Sequence, residues 1–119
     1  MGRAQPTNLR IRKITAATGI ITTVAGTGKL SLSGNGGLAT AADGYPGWLA
    51  LGPDGSIYFT DDGDGRLNGN ERVRKVLPNG TITTIAGTGV SGVGVDGGQA
   101  TATQLRSVGG VALDANGNL

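Results

Sequence analysis

The chain has no cysteine and no histidine in its 119 residues. The first absence excludes a disulfide framework and thiol chemistry. The second removes the usual general base and the imidazole metal ligand. Aromatic residues are 3% of the chain, too few to form the stacking platforms that single-stranded nucleic acids require. Charge is equally sparse, at 15% charged residues and a net +2, so bulk attraction to anionic polymers or lipid is weak. No apolar run approaches membrane-spanning length, and residues 1–8 lack the apolar stretch of a signal peptide. The expectation is a soluble chain with no membrane partner and a compartment left open. Carboxylates remain for catalysis, but none sits in an apolar stretch that would tune its pKa.

Glycine is what the chain has in excess, 24 residues, and here the glycines punctuate runs of Ile, Val and Thr. Those runs favour pleated surfaces, so packed β-structure with many turns is expected rather than disorder. The runs also repeat. Residues 19–28 (GIITTVAGTG) and 80–89 (GTITTIAGTG) are identical at eight of ten positions, an offset of 61 (80 minus 19). Arg12-Lys13-Ile14 returns as Arg74-Lys75-Val76, Gly36–Ala41 as Gly97–Ala102, and Trp48–Gly55 as Gly110–Gly117. The offset drifts from 61 to 62 near Asp43-Gly44-Tyr45. A period this long built from strand-like runs marks a radially repeated β architecture.

Within one period the pattern gives short strands and tight turns. Strands are expected at Leu9–Ile14, Ile20–Ala25, Trp48–Leu51, Ser56–Thr60, Glu71–Leu77, Thr81–Ala86 and Gly110–Leu113. Pro53-Asp54-Gly55 and Pro78-Asn79-Gly80 supply turns, and Asn116-Gly117 is a strong hairpin signal. Long glycine-rich excursions run from Gly26 to Tyr45 and from Gly87 to Ser107; Leu38–Ala42 suits at most a single helical turn. Four strands in sequence, joined by tight turns, form an antiparallel meander: an all-β chain.

The series Gly-Val-Ala-Leu-Asp with Asn-Gly-Asn-Leu (110–119), Arg-Val-Arg-Lys-Val (72–76), Thr-Ile-Thr-Thr-Ile-Ala-Gly-Thr-Gly (81–89) and Asp-Gly-Gly-x-Ala-Thr (96–101) resembles the NHL-repeat β-propellers of the long-loop bacterial type. The resemblance covers about residues 8–119. It implies a β-propeller fragment of four-stranded antiparallel blades within one incomplete domain, 1–119. Residues 8–28 are then strands c and d of one blade, 47–89 a full blade, and 109–119 the start of the next. On that likeness the chain is expected to be a piece of a longer propeller rather than a trimerising two-blade unit, because nothing supplies a strand b after Leu119. Isolated blades expose apolar sheet, so self-association is expected as well. Asp62–Gly69 makes the loop after strand b longer than the family pattern, and Asn35 stands where the second copy has Asp96.

Several motifs invite chemical readings. Asp61, Asp62 and Asp64, with Asn68, Asn70 and Glu71, offer oxygen ligands to a cation. An EF-hand-type loop starting at Asp62 fails at Arg66 and Leu67, so a polar turn is the simpler reading. Gly87–Gly92 fits Gly-x-Gly-x-x-Gly but opens no helix, and Gly28-Lys29 lacks the other P-loop residues, so no cofactor is expected. Basic residues recur in strand c: Arg10, Arg12 and Lys13, then Arg72, Arg74 and Lys75. With Arg66 they form the candidate binding surface (Arg66, Arg72, Arg74), unless they pair with Asp61, Asp62 or Asp114. Trp48 is expected to pack between blades. The resemblance then implies a non-catalytic scaffold whose loops bind a protein or glycan; the alternative is part of a propeller lyase or hydrolase with an axial metal. Nucleic acid is the least expected partner.

Overall fold

The computed structural model describes residues 8–61 and 71–119, and it is an all-β structure of two antiparallel sheets. A two-stranded sheet pairs β1 (Ile11–Ile14) with β2 (Ile21–Ala25). A four-stranded sheet runs β3 (Pro46–Leu51), β4 (Ile57–Asp61), β5 (Arg72–Val76), β6 (Ile82–Ala86), each strand beside its sequence neighbour. Thr, Ile and Val in these segments suit the pleat, and the turns set the register. Gly55 and Gly80 take the left-handed conformation their turns need (φ +89° and +88°). Asp54 Oδ1 and Asn79 Oδ1 accept from the amides of Ser56 and Thr81, two residues on, both at 2.9 Å.

β1–β2 and β5–β6 share an irregularity that alternation alone does not reveal. In the first pair the register steps from Ile11 opposite Ala25 to Arg12 opposite Thr23. In the second it steps from Val73 opposite Ala86 to Arg74 opposite Thr84. Each leaves one extra residue, Val24 or Ile85, so both are bulges in the same place. The bulge is followed by matching loop contacts. Gly26 N donates to Ala39 O at 3.0 Å and Gly87 N to Ala100 O at 2.9 Å. Ala39–Ala41 and Ala100–Ala102 form equivalent single 3-10 turns.

The first excursion is not a free loop. Gly36 N donates to Ile82 O (2.7 Å), Ile82 N to Gly37 O (2.9 Å), and Ala39 N to Gly80 O (2.8 Å). Residues 36–39 therefore occupy the outer edge of β6 and satisfy backbone groups that an edge strand leaves open. The core forms where the excursion meets both sheets: Ile11 and Ala25, Ala39 and Ala42, and Phe59, Val76 and Ile82, with Val24 and Ile57 against them.

One expected strand is absent. Gly110–Leu113 belongs to no ladder, because among the described residues no strand pairs with it. Its turn forms nonetheless: Asp114 N donates to Asn118 O (2.9 Å) and Gly117 N to Asp114 O (3.2 Å). Local turn chemistry is satisfied within five residues, whereas a strand needs a partner.

Two outcomes follow. A Cβ at Gly87 would run into the carbonyl oxygen of Glu71, and φ there is +90°; Gly26 meets Leu9 in the same way. Gly87→Ala is therefore expected to cost about 1–3 kcal/mol in a denaturant melt, and an unchanged midpoint would refute this contact. The Asp54 carboxyl is held below its ordinary pKa, first by the Ser56 amide and then by the Ser56 hydroxyl. A lowered native value means the turn's contribution is present above the ordinary carboxylate range and is lost as pH falls through the lowered value. NMR titration should show Asp54 titrating below an unstructured aspartate; equal values would contradict the turn.

Candidate binding site

β5 places Arg72 and Arg74 two residues apart, so both side chains leave one face of the strand. Arg74 is 1% exposed and Asp61, at the end of β4, is 0% exposed. Arg74 Nη1 meets Asp61 Oδ2 at 3.2 Å, while Asp61 Oδ1 accepts from Tyr45 N at 2.8 Å. Arg74 also reaches into the excursion, donating from Nη1 to Asp43 O (2.9 Å) and from Nη2 to Ser33 O (2.8 Å). A buried guanidinium needs a counter-charge and acceptors together, and here β4 supplies the first and the excursion the second. Gly44 permits the approach: a Cβ there would lie 2.9 Å from Asp61 Oδ2 and 3.4 Å from Arg74 Nη1.

Arg72 is only partly buried and folds back on the loop after β6, with Nη2 donating to Thr88 O at 2.7 Å. Arg10 makes the same bond to Thr27 O, also at 2.7 Å, in the first copy. Gly28 and Gly89 are the surfaces these guanidiniums lie against. Burial pushes the Arg72 guanidinium below its ordinary pKa, and neighbouring Arg74 pushes the same way against the pull of Asp61. Between the excursion and this loop lies an open cleft of about 520 Å3, lined by Ser33, Asn35, Arg72, Arg74, Thr84 and Thr101 among others.

The basic residues of strand c are thus split rather than aligned in one stripe. Arg74 is core, Arg72 and Arg10 brace loops, and Lys75 Nζ lies 5.0 Å from the centroid of the Tyr58 ring, its cross-strand neighbour. Arg12 and Lys13 remain exposed. Of the expected binding surface, Arg74 is buried beneath the cleft and paired with Asp61, because its position on β5 faces the excursion. Asp114 bonds within its own turn, to Asn116 and Asn118, and pairs with no arginine among the described residues. Arg66, Asp62 and Asp64 lie outside the described residues. Asp61, considered as a metal ligand, has both oxygens engaged, and the described residues hold no cluster of three or more His, Cys, Asp or Glu. Trp48 is 63% exposed, with Gly110 lying against its ring. Sequence reasoning missed Ser33, Asp43 and Gly44; the drift in repeat offset at 43–45 was the available signal.

Comparison with known proteins gives a fold and no family. No family model matches the chain, and no curated protein matches it. Among solved structures it is similar to a structural genomics protein of unknown function from Bacteroides thetaiotaomicron, with a TM-score of 0.70 and 21% identity over 90% of this chain. It is similar also to an auxiliary nutrient binding protein from Bacteroides ovatus, with a TM-score of 0.62 and 22% identity over 93% of this chain. The chain spans 25% and 29% of those two proteins' lengths.

Removing the counter-charge should be severe. Asp61→Ala leaves Arg74 buried without its carboxylate and is expected to cost about 3–5 kcal/mol. Urea unfolding measures it, and a loss below about 1 kcal/mol would show that the pair does not hold the excursion to the sheet.

Proposed function

We propose that the chain is a non-catalytic binding module built as NHL-like propeller blades, with the Arg72/Arg74 cleft as its recognition surface for a glycan or protein ligand. β3–β6 make one blade and β1–β2 the outer strands of the blade before it. The observation that carries the architecture is the duplicated set of a bulge, an arginine-to-loop bond and a 3-10 turn, spaced by the sequence period. Blades related in this way bury both sheet faces against neighbours.

What supports binding over catalysis is the character of the cleft. Its polar lining is hydroxyl, amide and guanidinium groups, which recognise ligands without offering a nucleophile–base pair. The Bacteroides ovatus protein of similar fold is a nutrient binding protein, which agrees with a ligand-holding role. Retention of one class of glycan or protein on a ligand array, without turnover of chromogenic glycoside and ester substrates, is the expected result. Turnover by the purified chain would overturn the reading.

The same architecture bears on association. Among the described residues β1 is paired on one side only, and beside it lies an apolar groove of about 650 Å3 lined by Leu49, Leu51, Ile57 and Val76. Leu51 is 68% exposed. The chain is therefore expected to self-associate through this face in solution. Sedimentation velocity should show mass rising with concentration, and Leu51→Lys should reduce that rise. A monomer at every concentration would contradict it.

A further inference from the structure

Two guanidinium donors at the cleft have no acceptor among the described residues. Arg72 Nη1 and Arg74 Nε are both buried and both lack a hydrogen-bond partner among the described residues. Burying such groups unpaired is costly, more so when they are charged. Their direction follows from the shape of the guanidinium. Arg74 Nε–H lies on the same edge as Nη2, and Nη2 donates to Ser33 O, a residue lining the cleft. That edge of a buried arginine is thus presented to the cleft with one donor used and one free.

Arg74 bonds Asp61 directly and Arg72 feels the same carboxylate. Asp43 accepts from the Thr27 hydroxyl, and Glu71 from Ser107 N at 3.2 Å. The remaining lining supplies hydroxyls from Thr84, Thr88 and Thr101, the Asn35 amide and glycine backbone, with Leu32 the one large aliphatic side chain.

We propose that this cleft binds a sugar acid, its carboxylate accepting from Arg72 Nη1 and Arg74 Nε and its ring hydroxyls pairing with the threonines and Asn35. This rests on the binding-module reading above and names the ligand class. A carboxylate is planar and carries two acceptor oxygens, which suits two single N–H donors carried by neighbouring guanidiniums. The hydroxyl-rich lining selects a polyhydroxylated ligand over an acidic peptide, whose apolar side chains would find no pocket.

The test uses glucuronate, with glucose and inorganic phosphate as controls, by calorimetry and by following the arginine Nε–H NMR signals. Glucuronate should bind and shift the Arg74 Nε–H resonance, glucose should do neither, and phosphate should bind more weakly. Arg72→Gln is expected to lower glucuronate affinity about tenfold, the scale of one charged hydrogen bond. Asn35→Asp adds a repelling charge at an exposed position; the second copy already carries Asp96 there, so the fold tolerates it. It should weaken glucuronate binding and leave the melting midpoint unchanged. No glucuronate binding, equal binding of glucose, tighter binding of phosphate, or affinity unchanged in both variants would overturn the proposal. If glucuronate fails while an array identifies a neutral glycan or a protein, the ligand class falls and the binding-module reading stands.

Discussion

The buried pair of Arg74 and Asp61 is the interaction on which the rest of the structure depends. A charge removed this completely from water survives only if every neighbour is arranged around it. Asp61 fixes the end of β4 and accepts from Tyr45 N, while Arg74 fixes the middle of β5 and donates to Ser33 and Asp43 in the excursion. One ion pair thereby ties together two strands and a glycine-rich segment that has little apolar surface of its own to bury. The same constraint creates the cleft, since the excursion held by Arg74 forms one wall and the loop braced by Arg72 forms another.

The duplicated sequence supplies an internal comparison. Arg10 and Arg72 do the same work in both copies because their acceptors, Thr27 and Thr88, lie in the loop that follows the same hairpin. Arg12 and Arg74 occupy equivalent positions and differ completely: one is exposed, the other 1% exposed. The difference lies in what packs on the strand. β5 has β4 and β6 beside it and the excursion over Arg74, whereas among the described residues β1 pairs with β2 alone. Burial of this arginine is a property of the assembled neighbours rather than of the motif.

That distinction explains what was legible in the sequence. The all-β architecture, the meander order and six of the strand positions could be read from Ile, Val and Thr runs and from Pro-Asp-Gly and Pro-Asn-Gly turns, since each is decided within a few residues. Gly110–Leu113 has the same local pattern as Pro46–Leu51 and still forms no strand, because pairing is decided elsewhere in the chain. The shared bulges were illegible: Thr-Thr-Val-Ala and Thr-Thr-Ile-Ala alternate plausibly either way. Arg72 and Arg74 were legible as a basic site, but not the division of labour between them. Asp61 suggested a polar turn or a cation ligand and proved to be the counter-ion of a core arginine. The clue lay seventeen residues upstream, at the one-residue drift in the repeat, where Gly44 lies against the pair.

If the ion pair binds the excursion to the four-stranded sheet, the two must open together. Native-state hydrogen exchange reads this directly through the amides of Tyr45, Ala39 and Ile82, which bond across that junction, and those within β5. The account predicts that all of them exchange with one common opening free energy, shared with the sheet. Tyr45 and Ala39 exchanging orders of magnitude faster than β5 would contradict it, since the excursion would then leave the sheet while Arg74 stayed buried.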